Sequence, residues 1–152
     1  MIKMSLRDLM MLVLSVSLVT GVVLTGGCIG NETVTPEQET PTQIIEDITP
    51  QEAFTLIQNN QNNPEFVIID VRTPEEFAEE HIENTINLDY YSETFRDELN
   101  NLDKNKTYLI YCRSGRRSGN ALNIMAEPNF REAYNILGGI IEWNAEGLPT
   151  VK

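Results

Sequence analysis

Cysteine, histidine and positive charge are all scarce in this chain, and each scarcity removes a class of function. Two cysteines, Cys28 and Cys112, are too few for a disulfide scaffold or a four-thiolate zinc site within one chain. A single histidine, His81, removes the usual His-rich metal centres, and neither a metal nor an organic cofactor is expected. Only 11 Lys and Arg stand against 23 Asp and Glu, a formal net charge of −12. That balance argues against a sequence-independent grip on nucleic acid, which needs clustered cations on phosphates. It argues equally against electrostatic docking on an anionic membrane. With 152 residues the chain has room for one domain with a real core, not two.

What is present begins with an address. Lys3 and Arg7 precede an uncharged stretch from Leu9 to Gly30, densest in Leu, Met and Val between Leu9 and Leu24. A charged start followed by an apolar run is the pattern of an export signal. Small residues then lead directly to a cysteine, Thr25-Gly26-Gly27-Cys28. This resembles the lipobox of prokaryotic lipoproteins, with Thr25 where an apolar residue is usual. The resemblance implies cleavage after residue 27 and lipidation of Cys28. The alternative is an uncleaved helix, since the uncharged stretch would span about 33 Å, enough for a hydrocarbon core. Either way the remainder is expected outside the cytoplasmic membrane, tethered to its outer side by the N-terminus. Residues 28–43 read as a flexible acidic tether, poor in large apolar side chains and broken by Pro36 and Pro41.

Residues 44–152 read as one α/β domain. Five segments have strand character: Ile44–Ile48, Phe66–Asp70, Thr85–Leu88, Tyr108–Tyr111 and Ala133–Ile136. Phe66–Asp70 and Tyr108–Tyr111 are apolar runs of the kind covered on both faces. Between the strands, Thr49-Pro50 and Thr73-Pro74 each open a helix as cap and first-turn proline. Ser118–Glu127 and Gly139–Ala145 supply two more. The alternation predicts an open, mainly parallel five-stranded sheet with helices on both faces. In such sheets the ligand site lies beyond the carboxyl ends of the strands, which points to the turn after Tyr111.

That turn reads Cys112-Arg113-Ser114-Gly115-Arg116-Arg117-Ser118. A buried strand ends in a cysteine, a short loop with glycine follows, and a helix begins. Successive backbone N–H groups of such a loop form an anion-binding cup, joined by the unpaired N–H groups of the helix start. Three arginines within five positions reverse the sign of an acidic protein locally. A free thiol, with a pKa of about 8.5, is only a few per cent thiolate at neutral pH. Lowering that value by about two units, or about 2.7 kcal/mol, makes it mostly thiolate. Taken singly, a strand-end cysteine is an inert small hydrophobe and an arginine cluster a solvated face. Together at one strand–loop–helix junction they mark a reactive thiol.

The loop resembles the active-site loop of rhodanese-like domains, the thiosulfate sulfurtransferase family. Other stretches resemble the family in order: Asp70-Val71-Arg72 with Glu75-Glu76-Phe77, His81-Ile82 with Thr85-Ile86-Asn87-Leu88, and Gly138-Gly139…Trp143…Gly147-Leu148-Pro149. The resemblance implies that Cys112 takes a sulfur from a small sulfur-containing anion such as thiosulfate. It further implies a persulfide on Cys112, passed on to cyanide, a thiol or a protein cysteine. Arg113, Ser114, Gly115, Arg116, Arg117 and Ser118 would bind substrate, Arg117 with the strongest claim to direct contact. Asp70 and Arg72 are secondary candidates, better read as ion-paired organisers of their turn. Cys112 has no resolving partner, so the sulfur leaves to another molecule.

Two other classes stay open. A Cys-dependent phosphatase or arsenate reductase shares this kind of architecture but needs a longer loop, with arginine six positions after the cysteine. Here the sixth position is Ser118. A persulfide carrier or binding module, without turnover, would carry the same loop.

Overall fold

The computed structural model describes residues 42–152; the segment expected to be an export signal, Cys28 and nearly all of the expected tether lie outside them. Five strands form one sheet: β1 (Ile44–Ile48), β2 (Phe66–Asp70), β3 (Thr85–Asn87), β4 (Thr107–Tyr111) and β5 (Glu132–Ile136). Their spatial order is β1-β5-β4-β2-β3, and every neighbouring pair is parallel. The helices are α1 (Pro50–Asn59), α2 (Pro74–Glu79), α3 (Phe95–Asn100), α4 (Arg116–Ala126) and α5 (Gly139–Ala145).

The two-residue period of the strands divides the core between the sheet's faces. Ile69, Tyr108, Ile110 and Ala133 pack with Phe95 and Leu99 of α3 and with Ala121, Leu122 and Met125 of α4. Ile68, Leu109, Tyr111 and Ile136 pack on the other face with Ala53 of α1 and with Ile140 and Trp143 of α5. All five predicted strands are present, within one residue at each end. So are the four predicted helices, although α4 starts two residues before Ser118. The fifth helix, α3, had no clear start signal, and Thr94 indeed makes no side-chain cap there. Gln43, read as the last tether residue, already belongs to the domain. Its amide donates to the carbonyls of Ala126 at 3.1 Å and Phe130 at 2.8 Å. Among the described residues no helix is long and apolar enough to cross a membrane.

The central pair, β2 and β4, decides where a site can form. From β2 the chain runs through α2 to β3 on one side; from β4 it runs through α4 to β5 on the other. A crevice opens between diverging connections at the carboxyl ends of such strands. Asp70 and Tyr111 are register partners at that edge, so the turns that follow them lie side by side.

Candidate active site

Cys112 follows the last residue of β4 and points to the α3–α4 face, where it is 1% exposed. The loop behind it turns at Gly115, whose φ of +82° is a conformation that side-chain-bearing residues rarely adopt. Gly115 also caps α4, and no side chain caps that helix. The N–H groups of Ser118, Ser114 and Arg117 therefore turn to the sulfur. Burial pushes the Cys112 thiol up, but the Ser118 hydroxyl and these backbone donors more than offset it, so its pKa lies below the ordinary value. Ser118 is fully buried and its hydroxyl makes no hydrogen bond in the structure, so what it favours is the thiolate form of the neighbouring sulfur. That leaves it available to a negative charge on the sulfur.

The loop's carbonyls are held from behind. Ile140 N–H donates to the Cys112 carbonyl at 2.9 Å and Ile141 N–H to that of Arg113 at 3.2 Å. The start of α5 thus satisfies the outward-facing oxygens, while the N–H groups stay turned inward. This close approach explains Gly139. A Cβ there would overlap the Cys112 carbonyl oxygen and lie 2.7 Å from the Arg113 carbonyl carbon.

The three loop arginines have different surroundings. Arg113 and Arg116 are exposed and form no salt bridge among the described residues. Arg117 is half-buried and bidentate with Glu76 of α2, at 2.8 and 2.9 Å, with its guanidinium over the Tyr91 ring. The Arg117 pair holds the Glu76 carboxyl below its ordinary range, and Glu76 in turn pushes the guanidinium's pKa further up. Arg117, the strongest sequence candidate for direct substrate contact, thus has its fork engaged by a carboxylate in the resting site. Its backbone N–H faces the sulfur and its charge favours the thiolate. Sequence reasoning missed Glu76 as a partner, because the two residues lie 41 apart and no local pattern links them.

Asp70 and Arg72 lie buried on the neighbouring turn, outside the cup. The Arg72 guanidinium grips the Asp70 carboxylate at 2.7 to 3.1 Å and also reaches the Glu80 carbonyl. The Arg72 N–H donates to Asp70 Oδ1, and Asn87 Nδ2 donates to the carbonyls of both residues. They organise their turn as an ion pair with each other. His81 stacks on Phe77, and its backbone pairs with Val151, away from the sulfur. No cluster of metal-ligating side chains occurs among the described residues.

Comparison with known proteins agrees with this geometry. The Rhodanese-like domain family matches residues 39–146. A sulfurtransferase of Allochromatium vinosum is 32% identical over 97 residues, covering 64% of this chain and 89% of that one. The thiosulfate sulfurtransferase PspE of Escherichia coli is 37% identical over 84 residues, covering 55% of this chain and 77% of PspE. Among solved structures, a rhodanese-like domain protein from Staphylococcus aureus superposes with a TM-score of 0.53 at 33% identity. It covers 70% of this chain and 99% of that one. With its parallel sheet, its cysteine-bearing loop and sulfurtransferases among its relatives, the chain belongs to the rhodanese-like domain family.

Proposed function

We propose that this protein is a thiosulfate-type sulfurtransferase working through a persulfide on Cys112. The observation that carries the reading is a buried cysteine at the end of β4 beside the side-chain-uncapped start of α4 and the buried, unpartnered Ser118 hydroxyl, an arrangement that lowers the thiol pKa. The Cys112 thiolate attacks the outer sulfur of thiosulfate. The new S–S bond forms as the old one breaks, and sulfite leaves with the electron pair. The persulfide carries one negative charge, as the thiolate did, so the same donors stabilise it. Arg113 and Arg116 attract the dianionic donor, and Arg117, balanced by Glu76, keeps the helix start in place. An acceptor thiolate or cyanide then takes the outer sulfur and returns the Cys112 thiolate. No general base is needed, because both nucleophiles react as anions.

The N-terminal pattern supports a location on the outer side of the cytoplasmic membrane, held by lipid on Cys28 or by an uncleaved helix. Mass spectrometry of the membrane-bound protein distinguishes the two: an acylated Cys28 as first residue, or an intact Met1. For the activity, the full chain is assayed with thiosulfate and cyanide, and separately with phosphate esters, beside Cys112→Ser. Thiocyanate formation that disappears in the variant is the expected result. Turnover of phosphate esters without thiosulfate turnover contradicts the proposal. Stoichiometric persulfide formation without turnover assigns a carrier instead.

A further inference from the structure

The Cys112 loop carries three cations, but one of them is already balanced. Arg117 Nη1 and Nη2 donate to Glu76 Oε2 and Oε1 at 2.8 and 2.9 Å, and the guanidinium lies over the Tyr91 ring at 5.5 Å. The Arg117 and Glu76 side chains are 12% and 28% exposed, so water screens the pair only in part. Glu76 is fixed from its own helix too, since Thr73 N–H donates to Oε2 at 3.2 Å. An incoming anion takes the Arg117 fork only by breaking a bidentate ion pair. The pair therefore presents a balance of charge to the sulfur, not a free guanidinium. That balance reaches Cys112, because a charge on its sulfur helps to raise the Arg117 pKa.

The other two loop arginines are exposed, where solvent and salt weaken their pull. Glu79 and Glu80 line the surface pocket that Arg113 borders, and Asp47 lines the one that Arg116 borders. Carboxylates thus stand near every loop cation, but among the described residues only Glu76 is in contact with one. A cup balanced in this way suits a donor with one negative charge better than a donor with two. Thiosulfate carries two. A thiosulfonate, R–SO2–S−, carries one and offers the same kind of outer sulfur.

We propose that Glu76 sets the donor specificity of the site: by cancelling the Arg117 charge it shifts preference from dianionic toward singly charged sulfane-sulfur donors. It acts through Arg117, as a positioning residue that does not touch the donor. This rests on the sulfurtransferase reading above. With a thiosulfonate, the Cys112 thiolate attacks the outer sulfur. The new S–S bond forms as the bond to the sulfonyl sulfur breaks, and the sulfinate leaves with the electron pair. The Cys112 persulfide is the one that thiosulfate gives, and no oxidant or reductant enters.

The test uses the full chain. Glu76→Gln removes the charge and little else, because glutamine keeps the length and also serves at this position of a capping box. Iodoacetate and iodoacetamide alkylate the same thiolate, one as an anion and one neutral. Their rate ratio at Cys112, followed by mass spectrometry, reads the local charge without any sulfur transfer. Glu76→Gln is expected to raise the iodoacetate-to-iodoacetamide ratio about fivefold, a difference lost at high salt. Glu76→Asp, which keeps the charge, is expected to stay within about twofold of the parent. In turnover with cyanide, Glu76→Gln is expected to raise kcat/KM for thiosulfate over methanethiosulfonate about fivefold, through KM rather than kcat.

The mirror variant Arg117→Gln is expected to lower both ratios about fivefold, and combining it with Glu76→Gln to return them to within about twofold of the parent. The step between these last two proteins measures the Glu76 charge even if Glu76→Gln alone does not fold. Ratios that stay unchanged or fall in Glu76→Gln overturn the proposal. So does a combined variant that stays as low as Arg117→Gln, which assigns Arg117 to direct contact with the anion. If neither donor turns over, the sulfurtransferase reading fails, and the alkylation ratios alone decide whether Glu76 sets the charge at Cys112.

Discussion

Two turns leave the carboxyl edge of the sheet side by side, one after Asp70 and one after Tyr111, and their hydrogen bonds are arranged in opposite ways. The Asp70 turn is closed on itself. Its carboxylate is held by Arg72, its carbonyls by Asn87, and the helix that follows is capped by Thr73 and Glu76 in a reciprocal capping box. The Cys112 turn is closed only on its outside, where α5 takes the Cys112 and Arg113 carbonyls. On its inside α4 has no side-chain cap, and the donors that a cap would satisfy face a sulfur. The same strand–turn–helix unit thus gives a closed turn when its donors are satisfied and an open cup beside a cysteine when they are not. Glu76 links the two, capping α2 with one oxygen while both hold Arg117 of α4.

Breaking the closed turn gives the largest effect on stability. Arg72→Met leaves Asp70 buried without its countercharge, and the expected loss is about 3–5 kcal/mol in urea unfolding. The transfer rate per folded molecule is expected to change far less. Equal stability of the variant contradicts the supporting role of the pair.

Disturbing the outer closure of the open turn comes next. Gly139→Ala places a Cβ against the Arg113 carbonyl at a φ of +58°. The expected cost is about 2 kcal/mol together with loss of sulfur transfer. Gly147→Ala is the control: its φ is +69°, yet nothing lies within 4 Å of the added Cβ. It carries the backbone strain alone, about 1 kcal/mol, and leaves transfer intact. Matching losses in the two variants would remove the role assigned to close packing behind the loop.

The contrast is sharpest at Ser118, the buried hydroxyl without a partner. Ser118→Ala is expected to raise the Cys112 pKa, because the buried hydroxyl no longer favours the thiolate. Because the folded thiol titrates below the unfolded one, it adds stability in full above the unfolded pKa of about 8.5. That gain is lost as pH falls through the folded pKa, and the variant shrinks it. A pH series of unfolding curves for both proteins checks the sign. Thr73→Ala is the smallest perturbation. It removes the α2 cap at about 1 kcal/mol and leaves the thiol titration unchanged.

Much of this was legible in the sequence, for reasons that differ by element. Strands β2 and β4 announce themselves as apolar runs, and α1 and α2 by Thr-Pro starts that the structure shows as capping boxes. The cysteine loop stood out because three arginines interrupt an acidic chain. Helix α3 was hidden: six residues long and without a side-chain cap, it left only Phe95 and Leu99, four apart, as a trace. The Arg117–Glu76 pair and the contact of Gly139 with the loop were hidden more deeply, since each joins residues far apart in the chain. Arg117 therefore has a structural role, its fork held by Glu76, that the sequence could not have announced.

The central claim is that the donors left open around Cys112 hold its thiol pKa below the ordinary value despite burial. The direct measurement is the ultraviolet titration of thiolate in the full chain, with Cys112→Ser as the blank, and alkylation of Cys112 followed site by site across the same pH range. A Cys112 midpoint below that of a free thiol, about 8.5, is the predicted result. A midpoint at or above that value, as burial alone would give, contradicts it.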